Sequence, residues 1–347
     1  MTATATRPAP TPGLARTGRL IRCQVGGSAF VFPLERVAEV VALGGASISA
    51  PRGWIGTLVR NERPVPIGDL AFLLGLAPKL AAHGDARAMI LRASADTLPF
   101  GVTVETVPTV LDIADTRVEP LPPSARRGAG GLVLGTIIVD DELLLLLDAD
   151  AIIARLAGAV THGPDGRITE LRALPRRLGG DSGRLVAGQA PPRPAPSARE
   201  LPALLLARME TADGGGGFVP AVPMVWIQEV RPRAESRPLP HAPNALSGIL
   251  IWRGRALPVI DLSGRLTGIP GTDDGANKRR LLIVGPQGAP PLGALLVSGV
   301  VGLRTLTTAA AGTAPPDDQT LDPALLGAWS HHGEDAIAVL DVAALFA

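Results

Sequence analysis

The chain has 347 residues, 46 % of them apolar, and its 33 Lys and Arg nearly balance 32 Asp and Glu for a net charge of +1. That length favours two domains over one. The balance of charge lacks the concentrated basic face that nucleic acid or an acidic membrane surface demands, and the single cysteine, Cys23, excludes an internal disulfide framework, as expected of a reducing cytoplasm.

In chain order, residues 1–17 are rich in Thr, Ala and Pro without an apolar stretch, which predicts a disordered tail rather than a signal peptide. Short Val/Leu/Ile runs follow, separated by Gly and Pro, of which the chain holds 41 and 34. That punctuation predicts short strands and tight turns. Strands are expected at Val31–Phe32, Val37–Leu43, Ile55–Val59, Met89–Leu91 and Leu143–Leu147. Cys23, close to a strand start, reads as a small buried hydrophobe. Short helices are expected over Asp69–Leu76, Asp261–Gly268, Ala149–Ala157 and Val342–Phe346, each opened by an Asp that can cap it. The longest apolar run, around Leu143–Leu147, falls far short of the roughly 18 residues that span a bilayer.

The chain repeats itself. Pro51–Leu70, PRGWIGTLVRNERPVPIGDL, aligns without gaps to Pro243–Leu262, PNALSGILIWRGRALPVIDL, at an offset of 192. Val37-Ala38-Glu39-Val40 answers Ile227-Gln228-Glu229-Val230 at 190. Gly101–Val104 answers Gly293–Leu296 at 192, and Leu146–Asp148 answers Val339–Asp341 at 193. Four matches in one order, with small drifts from loop insertions, mark a domain duplication rather than a solenoid. The expected domains are 18–157 and 201–347. Between them 158–200, rich in Pro, Gly and Arg, reads as a flexible linker. Within it, the spacing of Ile168, Leu171 and Leu174 predicts a turn or two of helix.

In the second copy, Gly248–Trp252 reads as a strand, Arg253-Gly254 as a tight turn and Arg255–Ile260 as the returning strand. Gly254 supplies the positive φ of a hairpin turn, Pro258 belongs at an edge or a strand end, and Arg253 is presented at the hairpin tip. The first copy has Asn61-Glu62 where the second has Arg253-Gly254, flanked by Arg60 and Arg63.

The run Gly-x-x-x-x-Arg-Gly-x-x-x-Pro-Val-Ile-Asp-Leu at Gly248–Leu262 resembles the signature of CheW-like domains. So does the order around it: a Glu-Val segment before, a Gly-x-x-Val strand after, and a closing Leu-Asp-x-x-x-Leu. The resemblance implies an all-β fold with minor short helices, each domain a pair of five-stranded Src-homology-3-like barrels. It implies no catalysis and no cofactor, and a cytoplasmic adaptor that bridges a CheA-type histidine kinase to methyl-accepting chemoreceptors at membrane-associated arrays without entering the membrane or binding nucleic acid. By position, Glu229, Val230 and Gly248 would lie on the kinase-facing barrel, with Arg253 and Gly254 at the hairpin. Val297 would help line a receptor groove between the barrels. Glu39, Val40, Gly56 and Val104 are the first-half equivalents, and the missing Arg-Gly pair there makes the halves unequal.

Enzymatic readings find little purchase. The sequence has no G-x-x-x-x-G-K-S/T phosphate loop and no metal-spaced Cys/His set. His331-His332, Asp140–Glu142 and Asp317-Asp318 sit at turn-like positions, and Asp69 and Asp261 read as caps. Nothing resembles the ATP-binding or phosphotransfer domains of a CheA-type kinase, and no room remains for a receiver domain. The alternative is a β-barrel interaction module of an unrelated signalling pathway.

Overall fold

The computed structural model describes residues 18–43, 52–60, 63–76, 87–92, 99–106, 108–112, 118–121, 125, 131–162, 168–174, 203–209, 218–243, 245–271, 279–305, 311–312, 321–332 and 335–346. The expected tail, the Asn61-Glu62 turn, Asp317-Asp318 and the linker from 175 onward lie outside them. The chain divides into two compact units, Met1–Pro120 with Gly131–Arg176, and Leu121–Gly130 with Arg177–Ala347.

The first unit runs β1 (Arg19–Val25), β2 (Ser28–Pro33), β3 (Val37–Ala42), β4 (Trp54–Arg60), β5 (Arg63–Gly68), α1 (Leu70–Leu73), β6 (Arg87–Leu91), β7 (Phe100–Val104), β8 (Thr109–Asp112), β9 (Glu119–Pro120), β10 (Val133–Val139), β11 (Glu142–Leu147), α2 (Ala149–Ala157), β12 (Val160–His162) and β13 (Ile168–Leu171). The second runs β14 (Leu204–Arg208), β15 (Val219–Pro223), β16 (Ile227–Pro232), β17 (Leu246–Trp252), β18 (Arg255–Asp261), α3 (Leu262–Thr267), β19 (Arg280–Val284), β20 (Gly293–Val297), β21 (Gly299–Arg304), β22 (Ala311–Gly312), β23 (Leu326–His332), β24 (Asp335–Leu340) and α4 (Val342–Leu345).

Both units are mostly β and share one topology. A six-stranded sheet, β8-β1-β2-β11-β10-β9, accompanies a five-stranded one, β3-β6-β7-β5-β4. Their counterparts are β21-β14-β15-β24-β23-β22 and β16-β19-β20-β18-β17. The duplication read from the sequence therefore extends to strand order. In each six-stranded sheet the early hairpin meets the last strand in parallel, at β2 with β11 and β15 with β24. In each unit the six-stranded sheet is thus built from strands before and after the five-stranded one, which is held as an insertion; the first unit adds the two-stranded β12-β13 after it.

In the second unit the five-stranded sheet closes on itself. The chain leaving β16 returns to the far edge, where Arg237 and Ile249 exchange both backbone hydrogen bonds, at 2.7 and 2.8 Å. Leu250, Trp252, Leu257, Val259, Leu281, Ile283 and Leu296 fill the interior. Val65, Ile67, Ala88 and Ile90 do so in the first unit.

The helices form where the Asp caps place them. Asp69, Asp148, Asp261 and Asp341 each accept a backbone N–H from the first turn with a side-chain oxygen. Two end earlier than expected, α1 at Leu73 and α4 at Leu345, while Gly268 stops α3 with φ +77°. Arg253 and Gly254 both take positive φ, +49° and +72°, the pair that a two-residue hairpin matching the twist of its strands requires. Pro258 lies one residue before the parallel ladder with β20 begins at Val259, so no bond is lost to its missing N–H there.

One expectation is corrected. Ile168–Leu174 is not helical. It forms β13, paired antiparallel with β12 (Val160↔Leu171, Thr161↔Glu170), and then runs on over the first unit. Arg172 donates its backbone N–H to Ala159 O, its carbonyl accepts from Trp54 Nε1 at 2.8 Å, and Leu174 donates to Arg52 O. Leu174 is buried. These tertiary bonds override the local spacing. The segment 158–200 is therefore not linker throughout: its first part is an ordered strap. Cys23 is buried in β1, and burial pushes its thiol up to about 12, which keeps it inert.

Candidate partner-binding surface

In each unit Glu39 or Glu229 sits on one edge of the five-stranded sheet, and the β4–β5 or β17–β18 hairpin forms the opposite edge. The sequence separates the two edges by about 20 residues, and curling of the sheet brings them together. In the second unit Glu229 Oε2 accepts from Trp252 Nε1 at 3.0 Å and from Arg253 Nη2 at 3.2 Å. The Arg253 guanidinium also stacks 4.5 Å from the Trp252 ring centre, a cation–π contact, and Arg231 approaches Glu229 Oε1 at 3.4 Å. The Arg253 side chain stays 71 % exposed. The tip cation is thus held, not loose, and remains available to a partner.

The first unit makes the same tie with other residues. Arg60, at the position of Trp252, forms a two-point hydrogen-bonded pair with Glu39. The Arg60 guanidinium holds the Glu39 carboxyl below the usual carboxylate range. Two arrangements therefore join the same two edges, one aromatic and cationic, one purely ionic.

Gly248 and Gly56 are structural. Each sits at a register shift in its hairpin, with φ of +142° and +149°. A Cβ on Gly248 would lie 2.4 Å from Arg237 O, the chain that closes the sheet. Glycine is required at Gly248 by backbone approach, and any effect on a partner acts through the sheet's shape.

The valines separate. Val230 is 46 % exposed, and Val40 is half-buried. Val104 and Val297 are buried strand ends, so their side chains serve the core rather than a contact surface. Of the ten residues singled out, Glu229, Val230, Arg253 and Gly254 form one accessible group, and Glu39 and Val40 its reduced counterpart.

A surface that the sequence reading passed over follows Val297 directly. Among the described residues β21 is an edge strand of the six-stranded sheet, paired with β14. Val300, Val301 and Leu303 are exposed, the last two by 53 and 60 %. Val301 and Leu303 open onto a cavity of about 240 Å³ whose other walls include Leu206, Val219 and Ile337 from the core. An edge strand with exposed apolar side chains beside a recess of mixed polar and apolar lining is the kind of surface that protein contacts use. The signal was present in GVVGLR: apolar residues on both faces of a strand that follows a buried one. At the matching place in the first unit, Leu111 packs on the core with Val118, and the strand ends in Asp112.

Among the described residues no group of three or more His, Cys, Asp or Glu could hold a metal, and no helix is long and apolar enough to cross a membrane. Asp140 and Asp141 occupy the β10–β11 turn with positive φ, a hairpin role rather than acid–base work.

The sequence profile of the CheW-like domain matches residues 19–157 and again 216–347. The chain belongs to the CheW-like domain family. It carries two such domains in tandem, in a family of non-catalytic chemotaxis adaptors and scaffolds. Among solved structures it is similar to the scaffolding protein TtCheW from Thermoanaerobacter tengcongensis, with 22 % identity and a TM-score of 0.36 over 43 % of this chain and 89 % of that one. The comparison with curated proteins returns no match.

Proposed function

We propose that this tandem CheW-like chain couples a CheA-type histidine kinase to methyl-accepting chemoreceptors, working in the cytoplasm at receptor arrays without catalysis or cofactor. Domains 18–157, extended by the strap to Leu174, and 201–347 would be the two binding modules. The observation that carries the reading is the apolar β21 edge of the second unit, beside the closed sheet that bears the Glu229–Trp252–Arg253 cluster. Val300, Val301 and Leu303 suit the apolar face of a receptor helix. Val230 and the Arg253 hairpin, a mixed apolar and cationic surface, suit the kinase.

The halves would not be equal partners. The first presents a single exposed apolar side chain, Val110, on the matching edge and lacks the Trp–Arg stack, so the second should hold most of the receptor affinity. Co-sedimentation of the full chain with receptor-containing membranes and kinase tests this. Leu303→Asp should abolish receptor capture while leaving kinase capture intact, and Arg253→Ala should weaken assembly with the fold preserved. Wild-type chain that is folded yet binds neither kinase nor receptor would overturn the reading.

A further inference from the structure

The two sheets of the first unit meet at Glu105. This residue directly follows β7, the last part of the five-stranded sheet before the chain crosses to β8 in the six-stranded one. Its backbone N–H donates to Gln24 O at 2.9 Å. Its carboxylate reaches the tip of the β1–β2 hairpin, where Oε1 accepts from Gly26 N at 2.6 Å and Oε2 from Gly27 N at 3.2 Å. Gly26 and Gly27 have φ of +60° and +76°, so the tight turn leaves both N–H groups facing outward as a small anion-holding concavity. One side chain from the inserted sheet fills it with charge-assisted bonds.

Among the described residues, the second unit shows the backbone half of this junction. Ser298 N donates to Arg208 O at 3.0 Å, the equivalent of Glu105 N to Gln24 O. The carboxylate is absent, and the buried Ser298 Oγ has no hydrogen-bond partner among the described residues.

We propose that Glu105 is a latch that fixes the angle between the two sheets of the first unit in the free chain. Three bonds at a single crossover residue set where β8 starts and how it meets β1. Val110, the exposed apolar side chain of β8, is thereby held in one orientation relative to the five-stranded sheet. The second unit's apolar edge begins at Gly299, one residue after Ser298, whose backbone N–H makes the matching bond to Arg208 O. The inference goes beyond the adaptor reading and does not need it: the latch is a property of the free chain.

The test uses the full chain and three variants, Glu105→Ala, Glu105→Gln and Ser298→Ala. Amide hydrogen exchange at Gly26 and Gly27, read by NMR, should accelerate roughly tenfold or more in Glu105→Ala. Glu105→Gln, which keeps an oxygen acceptor without the charge, should fall between. Residual dipolar couplings should report one fixed angle between the sheets of the first unit in wild type and an averaged one in Glu105→Ala, with Ser298→Ala unchanged. If Glu105→Ala fails to fold, Glu105→Gln carries both readouts. Equal exchange at Gly26 and Gly27 in wild type and a folded variant, or unchanged couplings, would overturn the latch.

Discussion

Asp69 and Asp261 occupy the same place in the two units, and their surroundings have diverged. Both cap the short helix after the repeated hairpin. Asp261 is also paired with Arg279 at 3.0 Å, both side chains almost wholly buried, and its second oxygen accepts from Gly271 N. Asp69 has its cap bond to Phe72 N, and burial pushes its carboxyl above the usual carboxylate range. One Asp is compensated by a buried cation; the other, among the described residues, meets its desolvation with cap bonds. Duplicated sequences can therefore share a fold while the same residue is tied into the core in one copy and only caps a helix in the other.

The largest expected effect breaks that comparison directly. Asp261→Ala removes the carboxylate paired with the buried Arg279 guanidinium and should destabilise the second unit by about 3–5 kcal/mol. Calorimetry of the full chain should show that loss, while Asp69→Ala should shift the first unit by only about 1 kcal/mol, the worth of a cap. Equal losses would mean that the buried pair adds nothing beyond capping.

Gly248→Ala comes next. The added Cβ meets Arg237 O, and the positive φ adds strain, so about 2–5 kcal/mol should be lost. The loss should appear in the second unit's hydrogen-exchange protection and leave the first unit's intact. Leu174→Ala tests the strap in the same range: a buried leucine truncated to alanine loses about 2–5 kcal/mol. Trp54 fluorescence should shift as the strap loosens. An unchanged melting profile would show that the first unit is complete at Ala157.

The smallest effect separates the two edge ties. The folded-state shift of Glu39 is downward. Its pairing with Arg60 therefore adds stability above the unfolded-state pKa, and that stability fades as pH falls through the folded one. Because both side chains are more than a third exposed, the effect is small and salt-sensitive. An NMR titration should show Glu39 protonating at lower pH than a free glutamate, and 1 M salt should narrow the gap. Trp252→Phe tests the other tie: it keeps the ring under Arg253 and removes only the indole donor to Glu229, so it should loosen the second unit's edge slightly and leave Glu39 untouched.

Much was legible in the sequence. The constant offset gave the duplication, the four aspartates gave the helix starts, and Arg253-Gly254 gave the turn, because caps and tight turns are settled within a few residues. The helical reading of Ile168–Leu174 failed for the complementary reason: its spacing is local, while the bonds from Arg172 and Leu174 reach back to Ala159 and Arg52. Likewise, the valines 104 and 297 read as surface from a motif and proved to be core, since exposure depends on what packs opposite a strand.

The sequence by itself thus determined the number of modules, their strand-and-turn grammar and their family. Only the tertiary structure decided that Glu229 holds Trp252 and Arg253 across a closing sheet, that Gly248 makes room for Arg237, that Val301 and Leu303 stand exposed at a free edge, and that Glu105 joins two sheets. The ties at Glu229, Gly248 and Glu105 join residues from 11 to 81 positions apart, the exposure of Val301 and Leu303 depends on what packs opposite β21, and no local pattern encodes either.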